Sequence, residues 1–318
     1  MGISLITTVK NEEQSIGDFL SSIACQTTVP DEVVIVDGGS TDNTTSLIRN
    51  FKGLNIRCIE QRSNIASGRN LAIRNAQHEI IAVTDAGCRL RPDWLERITA
   101  PMGSADVVVG NYRPIVNSLF DACQGSIIGL FGSDSSISTF SPSSRSLAFR
   151  KHVWAELGGY PEWLDYSEDA YFHKLLLLCY RVAFARAAVV EWEQRKNVSS
   201  VYRQYFRYME GEALAGLHTG RNLLRFGCYV TALLCLSLVV TKSALFLPLV
   251  VCGLVYASAS YNNFIRLKRY PLLGPALFVI PALLFLVDIA KMSGYLHGTF
   301  KLIQRSSSTT THRNPNEI

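Results

Sequence analysis

The stretch IIAVTDAGCR (residues 80–89) decides the fold of this chain. Four apolar residues lead into a threonine and then Asp85, and the small residues Ala86 and Gly87 follow. An apolar, partly β-branched run that ends in a turn is typical of a buried strand in a parallel sheet. Because ligands of open α/β sheets bind outside the carboxyl ends of the strands, we expect Asp85 at a ligand site. The alternative is an aspartate that only caps the turn after a core strand.

Two earlier stretches have the same character. The apolar run Ile3–Val9 predicts a strand, and VVIVD (residues 33–37) predicts a second strand that ends in Asp37 and the turn Gly38-Gly39. A helical pattern separates the two strands, and Ser40 or Thr41 is the candidate cap of the next helix. Strands and helices alternating at this spacing predict right-handed βαβ units in a parallel sheet.

The turn after Asp37 has the features of a nucleotide site. A carboxylate there can accept hydrogen bonds from a base or ribose, and a helix N-terminus favours anions. An ordinary βα turn is the alternative. The chain contains neither a G-x-G-x-x-G fingerprint nor a P-loop.

The segment NIASGRNLAIRN (residues 64–75) predicts a glycine-containing loop that enters a helix, with Arg69 in the first helical turn. The helix dipole favours anions at that end, so an arginine there needs a partner. A bound phosphate or a carboxylate such as Asp85 would explain it. A solvated surface arginine is the alternative.

Two adjacent acids lie farther along the chain. Glu168 and Asp169 open a predicted helix after the turn GGYP (residues 158–161). A carboxylate at a helix start in a polar cleft can act as a general base, although acids in a first turn are also favoured by the helix dipole alone. Residues 114–140 predict a helix followed by a mobile loop over the site. Arg145 follows it and could meet phosphates, or it could be a free surface arginine.

Together these motifs resemble those of the family 2 glycosyltransferases with the GT-A fold, over residues 3–215. The matching pieces are TTVKNEE, VIVDGGSTDNT, ASGRNLAI, AVTDAGC, SLAFRKHVWAELGGYPEWLDYSEDAYF and QYFRY. The resemblance implies an α/β, Rossmann-like fold with a mostly parallel sheet. It also implies a nucleotide-sugar donor, Mg²⁺ or Mn²⁺ as cofactor, and inversion at the anomeric carbon of the sugar.

The resemblance also implies roles for donor-side residues. Thr8, Asp37, Arg69 and Asp85 correspond to donor-binding positions. Asp85 corresponds to the first acid of the D-x-D metal motif and is the expected metal ligand. The third position of that motif is Gly87 here, so this chain retains one of the two acids.

On the acceptor side, the resemblance implies that Asp169 is the catalytic base and that Glu168 is its acceptor-side or orienting partner. Gln204, Arg207 and Tyr208 share one face of a predicted helix because they lie three and four residues apart. They match the Q-x-x-R-W motif of processive members, which lines the acceptor and diphosphate end of the site, with tyrosine in place of tryptophan. An interfacial helix at a membrane surface is the alternative.

The C-terminal third is strongly apolar, in a chain that is 48% hydrophobic and 18% charged. Residues 226–261 could form two short membrane crossings, 226–240 and 244–261, or one long tilted helix. We favour two crossings, because the basic residues before and after them then share the cytoplasmic side. Residues 272–290 are a third apolar candidate, for which crossing the membrane, re-entering it and lying in the interface are the three alternatives. A buried soluble bundle is the alternative for this third.

These observations define the expected organisation. We expect a GT-A glycosyltransferase domain in residues 1–220, membrane-anchoring helices in 221–300 and a polar tail in 301–318, in a multi-pass cell-membrane protein with a cytoplasmic catalytic domain. The expected partners are a nucleotide-sugar donor, a lipid-linked or saccharide acceptor and membrane lipids. The net charge of +5 is mild and no nucleic-acid module is present, so no nucleic-acid partner is expected. Two other functions remain open: a processive polysaccharide synthase and a non-catalytic membrane scaffold.

Overall fold

A computed structural model describes residues 2–128, 142–239, 242–267 and 274–310, with side chains up to residue 305. The chain divides into two compact units. The first unit comprises Met1–Ile115 and Phe131–Glu193, and the second comprises Val116–Leu130 and Gln194–Ile318. The second unit therefore includes a short segment from the middle of the chain, Val116–Leu130.

The first unit is built on one sheet, which has eight strands in the described part of the chain. The strands are β1 (Ile3–Val9), β2 (Glu32–Asp37), β3 (Ile56–Glu60), β4 (Ile80–Val83), β5 (Cys88–Leu90), β6 (Val107–Pro114), β7 (Leu147–Arg150) and β8 (Val182–Trp192). The helices of this unit are α1 (Ile16–Ala24), α2 (Thr44–Asn50), α3 (Ile65–Asn75), α4 (Trp94–Thr99), α6 (Lys151–Glu156) and α7 (Glu168–Cys179). In the second unit, α5 is Leu119–Ile128, α8 Val198–Leu214, α9 Thr219–Val239, α10 Phe246–Arg266 and α11 Ala276–Thr310.

The strand order is β3-β2-β1-β4-β7-β6-β8-β5. The first four of these strands are mutually parallel, as the βαβ pattern predicts. The remainder is mixed, because β7 pairs antiparallel with both neighbours and β5 pairs antiparallel with β8. The predicted α/β class is confirmed, and β5 is a strand that we expected to be part of a turn.

The parallel half of the sheet brings three strand ends to one edge. Strand β1 lies between β2 and β4, with Val9 opposite Asp37 and Ile6 opposite Val83. Every residue of β2 and β4 is buried, which accounts for their nearly continuous apolar sequence. Since neighbouring strands lie about 4.8 Å apart, the ends of β2 and β4 are roughly 10 Å apart across β1.

Two local predictions about helix starts are wrong. Helix α2 begins at Thr44 with Asn43 at the N-cap position, so neither Ser40 nor Thr41 caps it. The Ser40 hydroxyl instead donates to Asp37, which lies closer than the helix start. Helix α3 begins at Ile65, earlier than expected, because the Asn64 side chain accepts a hydrogen bond from the Ser67 amide at 2.9 Å.

This earlier start places Arg69 in the second turn of α3 rather than in the first. The dipole argument for an anionic partner applies to the first turn, so it does not apply to this arginine. In the region 114–140, the expected helix is α5. The expected mobile loop falls largely on residues 129–141, which lie outside the described residues.

Among its described residues, the second unit contains three helices that are long and apolar enough to cross a membrane: Thr219–Val239, Ser243–Arg266 and Ala276–Arg305. Their mean hydropathies are 1.6, 1.8 and 2.0. The first two are separate helices, as we favoured, with a 3₁₀ turn at Ser243–Leu245 between them. The third is longer than the candidate segment 272–290 and extends to Thr310, past the start of the expected polar tail.

Helices α8 and α11 pack closely through two glycines of α11. A Cβ atom added at Gly298 would lie 2.6 Å from the backbone oxygen of Glu210, and one added at Gly294 would clash with the backbone oxygen of Phe206. Small residues four apart let two helix backbones approach closely in this way. The last apolar helix therefore fixes the position of α8, which contains Gln204, Arg207 and Tyr208.

We predict that Gly298→Ala destabilises the second unit by about 1–3 kcal/mol, because backbone atoms of α8 cannot move aside without separating the helices. Thermal unfolding of the purified protein in detergent measures this. Gly227→Ala in α9 is the matched control, since nothing lies within 4 Å of its added Cβ. Equal melting temperatures for the two variants would contradict the proposed close packing.

Candidate active site

Asp37 lies at the end of β2 with its carboxylate held by the following turn. The residue is 2% exposed, and its Oδ2 accepts hydrogen bonds from the amides of Gly39 at 3.1 Å and Ser40 at 2.9 Å. Gly39 has φ +93°, which residues other than glycine adopt only with strain. The turn thus fixes the Asp37 carboxylate at the carboxyl edge of the parallel strands, and its role in binding a nucleotide stays a prediction.

Thr8 lies near the end of β1, next to the strand that ends in Asp37. Its methyl group packs against α3, where a Cβ added at Gly68 would lie 2.8 Å from Thr8 Cγ2. Glycine at this position therefore lets α3 lie close against β1. The close approach also sets the position of the next residue of α3, Arg69.

Arg69 is the centre of the site. The side chain is 5% exposed, with Nη2 2.7 Å from Asp85 Oδ1 and Nη1 2.6 Å from Glu168 Oε1. Its Cζ atom also lies 5.3 Å from the centre of the Tyr160 ring. Burial alone would lower the pKa of Arg69, but Asp85 and Glu168 outweigh burial and raise it, so the guanidinium remains charged. Of the explanations we considered for this arginine, the carboxylate partner Asp85 is the one that the structure shows.

Asp85 lies between two guanidinium groups. Arg69 hydrogen-bonds its Oδ1, and its Oδ2 is 3.8 Å from Nε of Arg145. Although burial opposes ionisation, the two arginines lower the pKa of Asp85 below its usual range. Arg145 is therefore not a free surface arginine, since it also lies over the Trp192 ring, 4.7 Å from the ring centre.

Glu168 and Asp169 begin α7 at a strained backbone position. The preceding residue, Ser167, has φ +62°, which is uncommon outside glycine and is often found at functional sites. Glu168 is 5% exposed, and Asp169 is half-buried. Burial and the neighbouring charge of Asp169 raise the pKa of Glu168 to about 7, although Arg69 opposes the shift.

His173 is a site residue that the sequence interpretation missed. It is buried, with Nδ1 3.1 Å from the backbone oxygen of Pro142, so that Nδ1–H donates, and with Nε2 3.3 Å from Ser144 Oγ. Burial lowers the pKa of His173, which favours the neutral ring. Ser144 Oγ lies 3.0 Å from the Tyr160 hydroxyl. The available signal was the position of His173, four residues after Asp169 and hence on the same helix face.

Gln204, Arg207 and Tyr208 belong to α8, in the second unit. Gln204 Nε2 donates to the Tyr208 hydroxyl at 3.0 Å, and its Oε1 accepts from Arg195 Nε at 2.9 Å. Gln204 and Tyr208 thus share one helix face as expected. The role of the three residues toward an acceptor or a diphosphate stays a prediction.

The residues around Asp85 fit a divalent cation that binds together with a phosphate-bearing ligand. Within residues 2–128, 142–239, 242–267 and 274–305, no group of three His, Cys, Asp or Glu could hold a metal on its own. Asp85 offers Oδ2, and there is open space at Gly87, where an added Cβ would meet nothing within 4 Å. Mg²⁺ commonly takes one or two carboxylates and completes its shell with phosphates and water.

Comparison with known proteins supports the resemblance to one family. A family model described as glycosyl transferase family 2 matches residues 4–139, which include Asp37, Arg69 and Asp85. This chain is a glycosyltransferase, and its residues 4–139 are similar to family 2. The resemblance inferred from its motifs is therefore confirmed.

The glycosyltransferase is 26% identical over 222 residues to the O-antigen chain rhamnosyltransferase RfbN of Salmonella typhimurium, covering 65% of this chain and 71% of that protein. It is 31% identical over 117 residues to glycosyltransferase AglE of Haloferax volcanii, and that match spans only 38% of AglE. Its fold is similar to that of the mannosyltransferase PcManGT from Pyrobaculum calidifontis, solved with GDP-Man and Mn²⁺. The TM-score is 0.55 at 20% identity, over 91% of this chain and 86% of that one. This likeness confirms the expected GT-A fold.

The raised pKa of Glu168 predicts a pH-dependent stability of the glycosyltransferase. The folded chain binds this proton more tightly than the unfolded chain, where the pKa is near 4.5. The contribution of Glu168 to stability is therefore present below about pH 4.5 and is lost as the pH rises through about 7. We expect the stability of the wild type to fall relative to that of Glu168→Gln between pH 5 and pH 8, by about 2 kcal/mol, because the buried carboxylate ionises over this range.

Melting temperatures between pH 5 and pH 8 measure this difference. Glu193→Gln is the control, because Glu193 is an exposed carboxylate of the same unit. If Glu168→Gln follows the pH profile of the wild type and of the control, the buried carboxylate is not protonated more readily in the folded chain.

Proposed function

We propose that this glycosyltransferase moves a sugar, with inversion, from a nucleotide diphosphate sugar to a lipid-linked or saccharide acceptor at the cytoplasmic face of the cell membrane. The observation that supports this most is the buried Arg69, which pairs with Asp85 on the predicted donor side and with Glu168 on the predicted acceptor side. The Arg69 guanidinium thus links the predicted donor side to the predicted acceptor side, between which the sugar has to pass.

For the donor, we assign the nucleoside to Thr8 and Asp37, at the ends of β1 and β2, and the diphosphate to the space beside Asp85. PcManGT, which has a similar fold, was solved with a nucleotide sugar and Mn²⁺. Asp85 Oδ2 would hold the cation in this chain. Such a cation supplies positive charge that stabilises the diphosphate as it leaves.

For the acceptor, we assign Asp169 as the general base. Its carboxylate takes the proton of the attacking hydroxyl while the acceptor oxygen bonds to the anomeric carbon and the bond from that carbon to the diphosphate oxygen breaks. A single displacement inverts the anomeric carbon and needs no nucleophile from the protein. Glu168, held by Arg69, orients the start of α7 and thereby Asp169.

The class of acceptor follows from the second unit and from a relative. Three helices suited to crossing a membrane favour an acceptor presented at a lipid surface. The Salmonella relative is named as an O-antigen chain rhamnosyltransferase, which favours a saccharide on that acceptor. Basic residues around α9 and α10, such as Arg221, Arg225 and Arg266, favour a cytoplasmic location for this side of the membrane.

A processive polysaccharide synthase is the second candidate, because Gln204 and Arg207 match the motif of processive enzymes. Tyr208 differs from the tryptophan of that motif in its chemistry, since its hydroxyl accepts a hydrogen bond from Gln204, which an indole N–H cannot do. Analysis of product length separates the two functions: one added sugar supports the transferase, and a long polymer supports the synthase.

We predict that Asp169→Asn binds the donor normally but transfers the sugar at least about a hundredfold more slowly, since an amide cannot take the proton. Calorimetry measures donor binding, and release of the nucleotide in the presence of lipid extract measures transfer. Asp165→Asn, at an exposed site in the loop before α7, is the control. Full turnover by Asp169→Asn would remove Asp169 from its role.

We also predict that Asp85→Ala weakens cation-dependent donor binding by about tenfold or more, because the cation loses its protein carboxylate. Asp85→Asn retains the shape and the hydrogen bond to Arg69, so it separates loss of the cation from loss of structure. The measurement is donor affinity with Mn²⁺ and with EDTA. An unchanged dependence on Mn²⁺ in both variants would count against Asp85 as a metal ligand.

A further inference from the structure

We propose that the second unit binds the phosphate group of a lipid beside α9 and α11, through Lys291, Arg225 and Asn222. The inference deepens the proposed function, on whose membrane location it rests, by naming the chemical group that a lipid-linked acceptor would present to these helices. Three features of this cluster support it: its position on α9, its spare hydrogen-bond donors and its charge.

The cluster lies at the end of the apolar part of α9. Arg225 is followed by residues 226–239, which contain no charged residue. Asn222, one turn before Arg225, is 1% exposed, whereas Leu223 and Leu224 are 60% and 68% exposed. In a helix that crosses a membrane, the end of the uncharged run marks the level of the lipid headgroups. A lipid whose phosphate reaches Asn222 and Arg225 there can place its apolar chain against the exposed leucines.

The cluster has more hydrogen-bond donors than acceptors. The Arg225 Nη1 atom donates to Asn222 Oδ1 at 2.7 Å, and its Nε lies 3.2 Å from Asp288 Oδ1. The other oxygen of Asp288 accepts from the hydroxyls of Tyr229 and Tyr256. Within the described part of the chain, neither Asn222 Nδ2, which is buried, nor Arg225 Nη2 has an acceptor. A buried N–H group without an acceptor is costly, so these donors indicate that an acceptor binds here.

Lys291 supplies a positive charge that has no ion-pair partner. It lies one turn after Asp288 on the same face of α11 and is half-buried, with Nζ 5.1 Å from the centre of the Tyr205 ring. Among the described residues no carboxylate forms an ion pair with it, and its charge interacts with that of Arg225. A half-buried cation beside a second cation favours the binding of an anion.

The carboxylates that interact with Lys291, Asp288 and Glu212, each already pair with an arginine. Asp288 pairs with Arg225, and Glu212 lies 3.0 Å from Arg221 Nη2. Three cations thus face two carboxylates. A phosphate supplies the anion that Lys291 lacks, and its oxygens accept hydrogen bonds from guanidinium and amide groups alike.

A purely structural role is the competing explanation, in which the cluster only joins α9, α10 and α11 by polar contacts. The two roles differ in what the loss of Lys291 does. Because Lys291 makes no ion pair, its removal leaves the contacts between the helices in place. Only a phosphate-binding role makes that removal change the affinity for a lipid phosphate.

The test is the affinity of the full-length chain in detergent for a polyprenyl phosphate and for the polyprenol of the same length, by microscale thermophoresis. We expect the wild type to bind the phosphate about tenfold or more tightly than the alcohol, because the phosphate meets two cations. Lys291→Met removes the charge and keeps the length of the side chain, so we expect it to lose most of this preference. Lys291→Arg retains the charge and should retain the preference.

Asn222→Asp is a second variant of the same site. It replaces the Nδ2 donor by an oxygen of similar size, while Oδ1 still accepts from Arg225. We expect it to lower the preference for the phosphate by about tenfold, because an acceptor then faces the phosphate oxygens. If Lys291→Met does not fold, this variant tests the site in its place.

Lys301→Met is the matched control. Lys301 is a lysine of the same helix, and it already pairs with Glu210. We expect this variant to prefer the phosphate over the alcohol to the same extent as the wild type.

Two competing ligands identify the source of the phosphate. Phosphatidylglycerol that displaces the polyprenyl phosphate with equal affinity identifies the bulk anionic lipids as the source, whereas weaker displacement identifies the acceptor lipid. Either result supports a site for a lipid phosphate. Inorganic phosphate that displaces it at the same concentration overturns the proposal, because the apolar chain then contributes nothing.

The remaining outcomes separate this inference from the proposed function. Equal affinities of the wild type for polyprenyl phosphate and polyprenol overturn the inference alone, and so does an unchanged preference in Lys291→Met and Asn222→Asp. A wild type that selects the phosphate but transfers sugar from no nucleotide-sugar donor contradicts the proposed function and still supports the binding site.

Discussion

The buried ion pairs of Arg69 are the interaction on which the rest of the site depends. A guanidinium group removed from water is costly unless it is paired, and here both of its outer nitrogens meet carboxylates. Those carboxylates come from two distant parts of the chain, the end of β4 and the start of α7. The fold therefore has to hold α3, β4 and α7 in one arrangement, because loss of either partner leaves one nitrogen of the buried guanidinium without its acceptor.

Neighbouring contacts maintain this arrangement. Gly68 lets α3 lie against β1 at Thr8, and Asn70, one residue beyond Arg69, fixes the chain that leads to α7. The Asn70 side chain accepts from the Tyr160 amide at 2.9 Å and donates to the Tyr160 carbonyl at 2.8 Å. Gly159 has no room for a side chain, since an added Cβ would lie 2.8 Å from Asn70. The glycines and the asparagine are thus part of the support of the site.

The second unit shows the same dependence on close backbone contact. The apolar character of α9, α10 and α11 is sufficient to identify them as candidate membrane helices. Their hydropathy does not indicate that α11 packs against α8 through Gly294 and Gly298. That contact connects a candidate membrane helix with the helix that presents Gln204 and Tyr208, within one compact unit. A substitution in α11 at this contact can therefore affect the residues of α8 that are proposed to meet the acceptor.

The sequence by itself determined the parallel strands β1, β2 and β4, the acids that follow β2 and β4 and begin α7, and the apolar character of the C-terminal third, because these follow from local periodicity and turn residues. Only the tertiary structure decided that Arg69 pairs with Glu168, 99 residues away, that Arg145 lies on Trp192, and that His173 is buried beside Ser144. These contacts join residues that are distant in sequence, so they depend on how the elements pack. The missed cap at α2 has the same cause, since Ser40 is recruited by Asp37 across the turn and not by the helix that follows it.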